Sequence, residues 1–118
     1  MNRLALDEPT ALGGQGPHCL VDVSEANDWV DGKRGPRIGT YYTVLRGIDL
    51  EKVRVLVRDP APIVDQATVL QRVPSLQFVK VTFDRLTASV YADDKRNLHI
   101  TAEAAAVKLY NPQQRQPG

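Results

Sequence analysis

Hydrophobic and polar residues alternate along most of this chain, and that alternation predicts strands. "EKVRVLVRDP" is the clearest stretch: Val53, Val55 and Val57 point one way, Arg54, Leu56 and Arg58 the other, and Pro60 ends the run. "HCLVDVSEA" alternates too, with Cys19, Val21 and Val23 opposite His18, Leu20 and Asp22. "TYYTVLRG" is aromatic and β-branched and closes at Gly47. "LQFVKVTFDRLTASVYADD" exceeds an ordinary strand and is expected to bend near Asp84-Arg85, where the alternation slips. A polar turn over 93–97 joins it to "LHITAEAAAVKLY", in which Leu98, Ile100 and Ala102 oppose His99, Thr101 and Glu103. The alanines favour helix there, but alternation after a hairpin turn favours strand for at least the first half.

One segment, "APIVDQATVLQRVPS", is open between a short helix, with Ile63, Ala67 and Leu70 as its stripe and Pro74 as its stop, and an irregular connection. The first 17 residues, rich in glycine and proline, read as a flexible arm, and the polar residues from Asn111 onward as a disordered tail. The expected organisation is an arm over 1–17, a β-barrel domain over 18–110 and a tail over 111–118. Five strands, one long and bent, with at most one short helix between the third and fourth, suit a small closed barrel of the oligonucleotide-binding (OB) type. A β-sandwich is the alternative.

Composition narrows the class. A chain of 118 residues, 42% hydrophobic and 25% charged, can bury a core without metal or disulfide support. The single cysteine, Cys19, has no internal partner and fits a reducing compartment. No apolar run approaches the roughly 20 residues of a membrane span, and the N-terminus lacks the apolar centre of a signal peptide. A cytoplasmic protein without membrane contact is expected.

Net charge is only +1, but it is unevenly spread. Residues 1–31 carry one cation against six acids, and residues 33–58 carry seven cations against two acids. Such segregation allows a local positive field on a near-neutral molecule. Catalytic inventories are thin. His18 and Cys19 are strand neighbours facing opposite sides, no cysteine–histidine spacing matches a zinc site, and "GGQG" lacks a phosphate-loop pattern. No catalytic residue, metal, cofactor or small-molecule substrate is expected.

Single-strand binding needs no chemistry, only cations along a groove and aromatic faces for bases. Phe78 and Phe83 lie an odd number of residues apart, so only one can face the core of a regular strand. Tyr41 and Tyr42 are adjacent, so one is expected to face outward. Lys33, Arg34 and Arg37 precede them, and Arg46, Arg54 and Arg58 could extend the positive surface, with Trp29 or Tyr91 as further stacking faces.

"DGKRGPRIGTYYTVL" resembles the flexible DNA-binding hairpin of filamentous-phage single-stranded-DNA-binding proteins, where a Gly, Lys/Arg and Pro loop runs into a tyrosine-bearing strand. The C-terminal half is similar to small replication or transfer proteins of bacterial plasmids and integrative elements. The matching positions are Phe83, Leu86 and Tyr91, then Ala102 and Ala104. The resemblance implies an OB-like barrel, usually dimeric, that coats single-stranded DNA during replication or transfer. It makes Lys33, Arg34, Arg37, Tyr41 and Tyr42 contact residues. A β-rich protein-interaction or phage assembly module without nucleic-acid binding is the second hypothesis, and the choice between DNA and RNA is open.

Overall fold

In the computed structural model, described for residues 3–14, 16–47, 49–58 and 61–110, the chain is mainly β. Within the segment expected as a flexible arm, residues 3–12 carry regular structure. Arg3–Leu6 forms strand β1 and Glu8–Leu12 forms helix α1. The Asp7 carboxylate caps the helix by accepting the Thr10 N–H at 3.0 Å, Pro9 sits in the first turn, and Gly13 ends it at φ +77°. Ala11 and Leu12 are fully buried, so apolar burial fixes the segment. A Glu8–His18 contact of 2.6 Å ties α1 to the following strand.

Strand β2 (His18–Val30) and strand β3 (Lys33–Leu45) form a long hairpin. Its turn is only Asp31-Gly32, with φ of +54° and +74°, the left-handed pair that a two-residue hairpin turn requires. The stretch read as a loop from Lys33 is therefore mostly strand. Beyond Leu20 on β2 and before Thr40 on β3, the two strands pair only with each other among the described residues, which makes a two-stranded ribbon. β3 continues into β4 (Lys52–Val57) across Thr40 to Leu45. Here Gly39 allows close approach, since a Cβ would lie 2.3 Å from the Val57 carbonyl oxygen.

The ambiguous segment contains helix α2 (Gln66–Arg72), which buries Val69 rather than the expected Ile63–Leu70 stripe. Gln66 donates to the Asp22 carboxylate at 3.0 Å and so docks α2 on β2. β5 (Val79–Asp84) and β6 (Thr87–Ala92) are separated at Arg85, whose φ is +52°. β7 (Leu98–Ala104) and β8 (Ala106–Leu109) are separated at Ala105. Phe83 opposite Val107 and Thr87 opposite Glu103 keep one antiparallel register through both breaks, so the four strands are one long hairpin with a bend.

The expectation of five strands in a closed barrel with at most one helix is thus corrected. Among the described residues eight strands and two short helices form, and the strands build one open sheet in the order β1-β6-β7-β4-β3-β2-β5-β8, with β1 and β8 as edges. The count rises because the bends split two long strands and Arg3–Leu6 adds another. One sheet also differs from the two layers of a sandwich. Leu20, Val23, Tyr42, Val44, Val55, Val57, Val81 and Phe83 form the core, closed by Leu12 of α1 and Val69 of α2. The expected tail over 111–118 lies outside the described residues. No helix among the described residues is long and apolar enough to cross a membrane.

Candidate nucleic-acid interface

The register places a polar row on the outer face of the sheet. Tyr41 of β3 lies opposite Leu56 of β4, Leu56 opposite Glu103 of β7, and Glu103 opposite Thr87 of β6. Two residues along the strands, Thr101 pairs with Ser89, and two further, His99 pairs with Tyr91, whose other neighbour is Arg3 of β1. Alternation sends these side chains away from the face bearing Tyr42, Val55, Ala102 and Ala88. A groove of about 510 Å³ is lined by Arg3, Tyr41, Arg54, Leu56, Thr87, Ser89, Thr101 and Glu103 of this face and also takes in Ala88, Ile100 and Ala102 of the opposite parity.

Two guanidinium–tyrosine stacks define this groove. The Arg54 guanidinium carbon lies 4.2 Å from the centre of the Tyr41 ring. That of Arg3 lies 5.1 Å from the centre of the Tyr91 ring. The negative ring face holds each planar cation in place and leaves its positive charge in the groove. His99 stacks with Tyr91 at 5.2 Å and 27°, and its Nε2 meets Asp93 Oδ2 at 2.8 Å. The Asp93 carboxyl is held below its ordinary range, chiefly by that His99 hydrogen bond and then by the Asn97 N–H. Hydroxyls lie between the stacks: Ser89 and Thr101 are 3.0 Å apart, and Arg3 Nη1 donates to Ser89 at 3.4 Å.

No family model, curated protein or solved structure matches the chain.

Of the residues singled out in the sequence, the fold brings Tyr41 and Arg54 into the lining of this groove and places Tyr91 beside it, under Arg3, with Arg58 at its side through an Nε contact of 3.1 Å to Glu103. Tyr42 is not a contact residue. It is fully buried, and its hydroxyl accepts the Ile63 N–H at 3.0 Å. Trp29, Lys33 and Arg34 sit at the exposed end of the ribbon. Much of the local charge there is already engaged. Arg34 donates to Glu25 at 2.8 Å and to Asn27 at 3.0 Å, and Arg37 donates to the Thr40 hydroxyl at 2.6 Å. The Glu25 carboxyl is held low by Asn27 first and Arg34 after it.

Arg46 lies at the opposite end of β3 from the hairpin turn, paired with Asp49 at 3.0 and 2.5 Å. That pair lowers the Asp49 carboxyl to about 2, helped by the Glu51 N–H. A carboxyl depressed on folding stabilises the native state above its ordinary value of 3.8 and loses that contribution as pH falls through about 2. An NMR titration of the Asp49 carboxyl is expected to show it still ionised at pH 3, whereas Arg46→Ala returns its midpoint towards 3.8.

Arg3, His99 and Glu103 were not among the contact residues read from the sequence. Arg3 falls in the expected arm, and His99 and Glu103 enter the sequence reading only as one side of the alternation over 98–103. The signal for the groove is strand parity in the C-terminal hairpin, where His99, Thr101 and Glu103 share one face.

Proposed function

We propose that the protein binds single-stranded nucleic acid, without chemistry, along the outer face formed by β3, β4, β7, β6 and β1. The observation that carries this reading is the pair of guanidinium–tyrosine stacks, Arg54–Tyr41 and Arg3–Tyr91, on either side of a hydroxyl-lined floor. A guanidinium over a tyrosine ring offers donors for a phosphate and, with the ring, a surface for a base. Two such surfaces with a polar floor between them suit a short run of unpaired nucleotides.

The chain path supports the same reading. With β5–β6 and β7–β8 each taken as one bent strand, β2 pairs with β3, β3 with β4, β4 with β7, and β5 returns to β2. That order resembles the partly open barrel of OB domains, which bind oligonucleotides across the face of their second and third strands and two flanking loops. The corresponding places here are the face of β3 and β4, the Asp31-Gly32 turn and the turn over 93–97. The resemblance to phage and mobile-element proteins adds a setting, replication or transfer of such an element, and a homodimer, for which the open edges β1 and β8 are the available pairing surfaces.

Fluorescence anisotropy of a labelled, mixed-sequence single-stranded oligonucleotide tests the reading. Saturable binding that weakens with salt is expected. Tyr41→Ala combined with Tyr91→Ala lowers affinity at least about tenfold, on the scale of 1–3 kcal/mol per stacked base. Arg46→Ala leaves it unchanged. Absence of binding at low salt, or a folded double variant that binds like the wild type, sinks the proposal.

A second reading, a protein-interaction module, rests on a different observation. The other face of the β1–β6–β7 wing carries Leu4 and Leu98, 63% and 74% exposed, beside half-buried Val90 and Ile100. Two exposed leucines at this end of the sheet are suited to contact with another protein.

A further inference from the structure

Glu103 is out of place in a groove that only holds phosphates. It lies in the middle of the Tyr41–Leu56–Glu103–Thr87 row and lines the groove, and a carboxylate there repels a phosphate. On the reading that this groove holds unpaired nucleotides, we propose that Glu103 makes it selective for bases that present an amino group at pyrimidine C4 or purine C6, cytosine and adenine above thymine and uracil.

Three features carry the inference. The first is position. Leu56, almost fully buried, is an apolar floor with Tyr41 on one side and Glu103 on the other. Strands spaced about 4.8 Å apart place those two flanking residues roughly 10 Å from each other, room for a single base between them. A base lying on Leu56 beside the Arg54–Tyr41 stack therefore turns one edge towards the carboxylate.

The second is orientation. Arg58 Nε donates to Glu103 Oε2 at 3.1 Å across the top of β4 and β7, and the Glu103 side chain is 47% exposed. One such bond occupies only part of a carboxylate's roughly four acceptor sites, so the group is held in place and can still accept from a ligand. Arg58 is on this account a positioning residue, and it offsets the repulsion that an isolated carboxylate would exert on the backbone of the strand.

The third is chemistry. An ionised carboxylate only accepts hydrogen bonds. Cytosine N4 and adenine N6 are donors, whereas thymine and uracil present the O4 acceptor at the equivalent place. A cytosine edge gains a charge-assisted bond from N4, whereas a thymine edge sets O4 against the carboxylate there and keeps only N3–H, flanked by two carbonyl oxygens, as a donor. Cations and stacks hold any strand, and the acid supplies the difference between bases.

The test is competition between (dC)12 and (dT)12 for the full-length protein at pH 7.5 and fixed salt, repeated with Glu103→Gln. The wild type is expected to bind (dC)12 about five- to tenfold more tightly. Glu103→Gln is expected to bring the ratio near one, chiefly because (dT)12 binds better once the repulsion is removed. A wild-type ratio near one, or a preference that persists in a folded Glu103→Gln protein, overturns the inference while leaving single-strand binding intact. Failure of both oligonucleotides to bind overturns the groove reading and this selectivity with it.

Discussion

Tyr42→Ala is expected to cost about 3–5 kcal/mol of unfolding free energy, the range for removing a fully buried aromatic side chain. Tyr42 has no exposed surface and sits on β3 between Val23 of β2 and Val55 of β4, at the centre of the sheet's inner face. The truncation opens a cavity there and leaves the Ile63 N–H without its acceptor. The total stability of a domain this size is about 5–15 kcal/mol, so the variant keeps about two-fifths of its margin or less at the lower end. Urea denaturation followed by circular dichroism gives the number. Tyr42→Phe separates the two contributions: it keeps the ring and removes the acceptor, for a loss of about 1 kcal/mol. Tyr41→Ala, one residue away on the outer face, is expected to shift stability by about 1 kcal/mol or less and to act on binding instead. If Tyr41→Ala unfolds the protein and Tyr42→Ala does not, the two faces of β3 have been assigned the wrong way round.

That pair of tyrosines marks how far the sequence could be read. Period-two alternation located β4 and most of β2, and the slip at Asp84-Arg85 located the bend between β5 and β6. Parity said that one tyrosine faces out and one faces in. Which one was undetermined, because register depends on partners outside the local sequence. The basic stretch from Lys33 misled for a different reason. Gly35, Pro36 and Gly39 are poor strand residues and signal a loop, yet they are tolerated in a two-stranded ribbon. Pro36 has no N–H to offer, and no third strand pairs with the chain there among the described residues. Register shifts between Ala26, Asn27 and Trp29 absorb the irregularity on the facing strand.

The groove was hidden for a topological reason. Arg3 and Tyr91 are far apart in the chain, and nothing local in either segment pairs β1 with β6. Tyr41, Arg54 and Glu103 likewise meet only because β4 lies between β3 and β7, the latter in parallel. Composition located the cations, but register decides which of them share a face with an aromatic ring. The consequence is a shift of the candidate site from the hairpin end to the sheet face. Arg34 and Arg37 already have partners in the ribbon, whereas Arg3 and Arg54 lie on tyrosines in the groove.

Leu12→Ala carries the other large expected effect, about 2–5 kcal/mol, because the N-terminal segment is part of the core. Its local signals are present in the sequence: Asp7 as cap, Pro9 in the first turn, Gly13 as terminator, and Ala11-Leu12 between them. Five helical residues are too few to stand alone, so α1 exists only through what it buries and what it bonds. Leu12 is 1% exposed, its carbonyl accepts the Gly47 N–H at 2.8 Å, and Glu8 reaches buried His18. Loosening α1 also frees β1, which it directly follows, and with β1 goes the placement of Arg3 over Tyr91. The same substitution should therefore lower oligonucleotide affinity towards that of Arg3→Ala under conditions where the rest of the protein is still folded. Chemical denaturation gives the stability change, and amide exchange over residues 3–12 gives the local one. A Leu12→Ala protein as stable as the wild type, with those amides already exchanging freely in both, would return the segment to the loose arm that its glycines and prolines suggest.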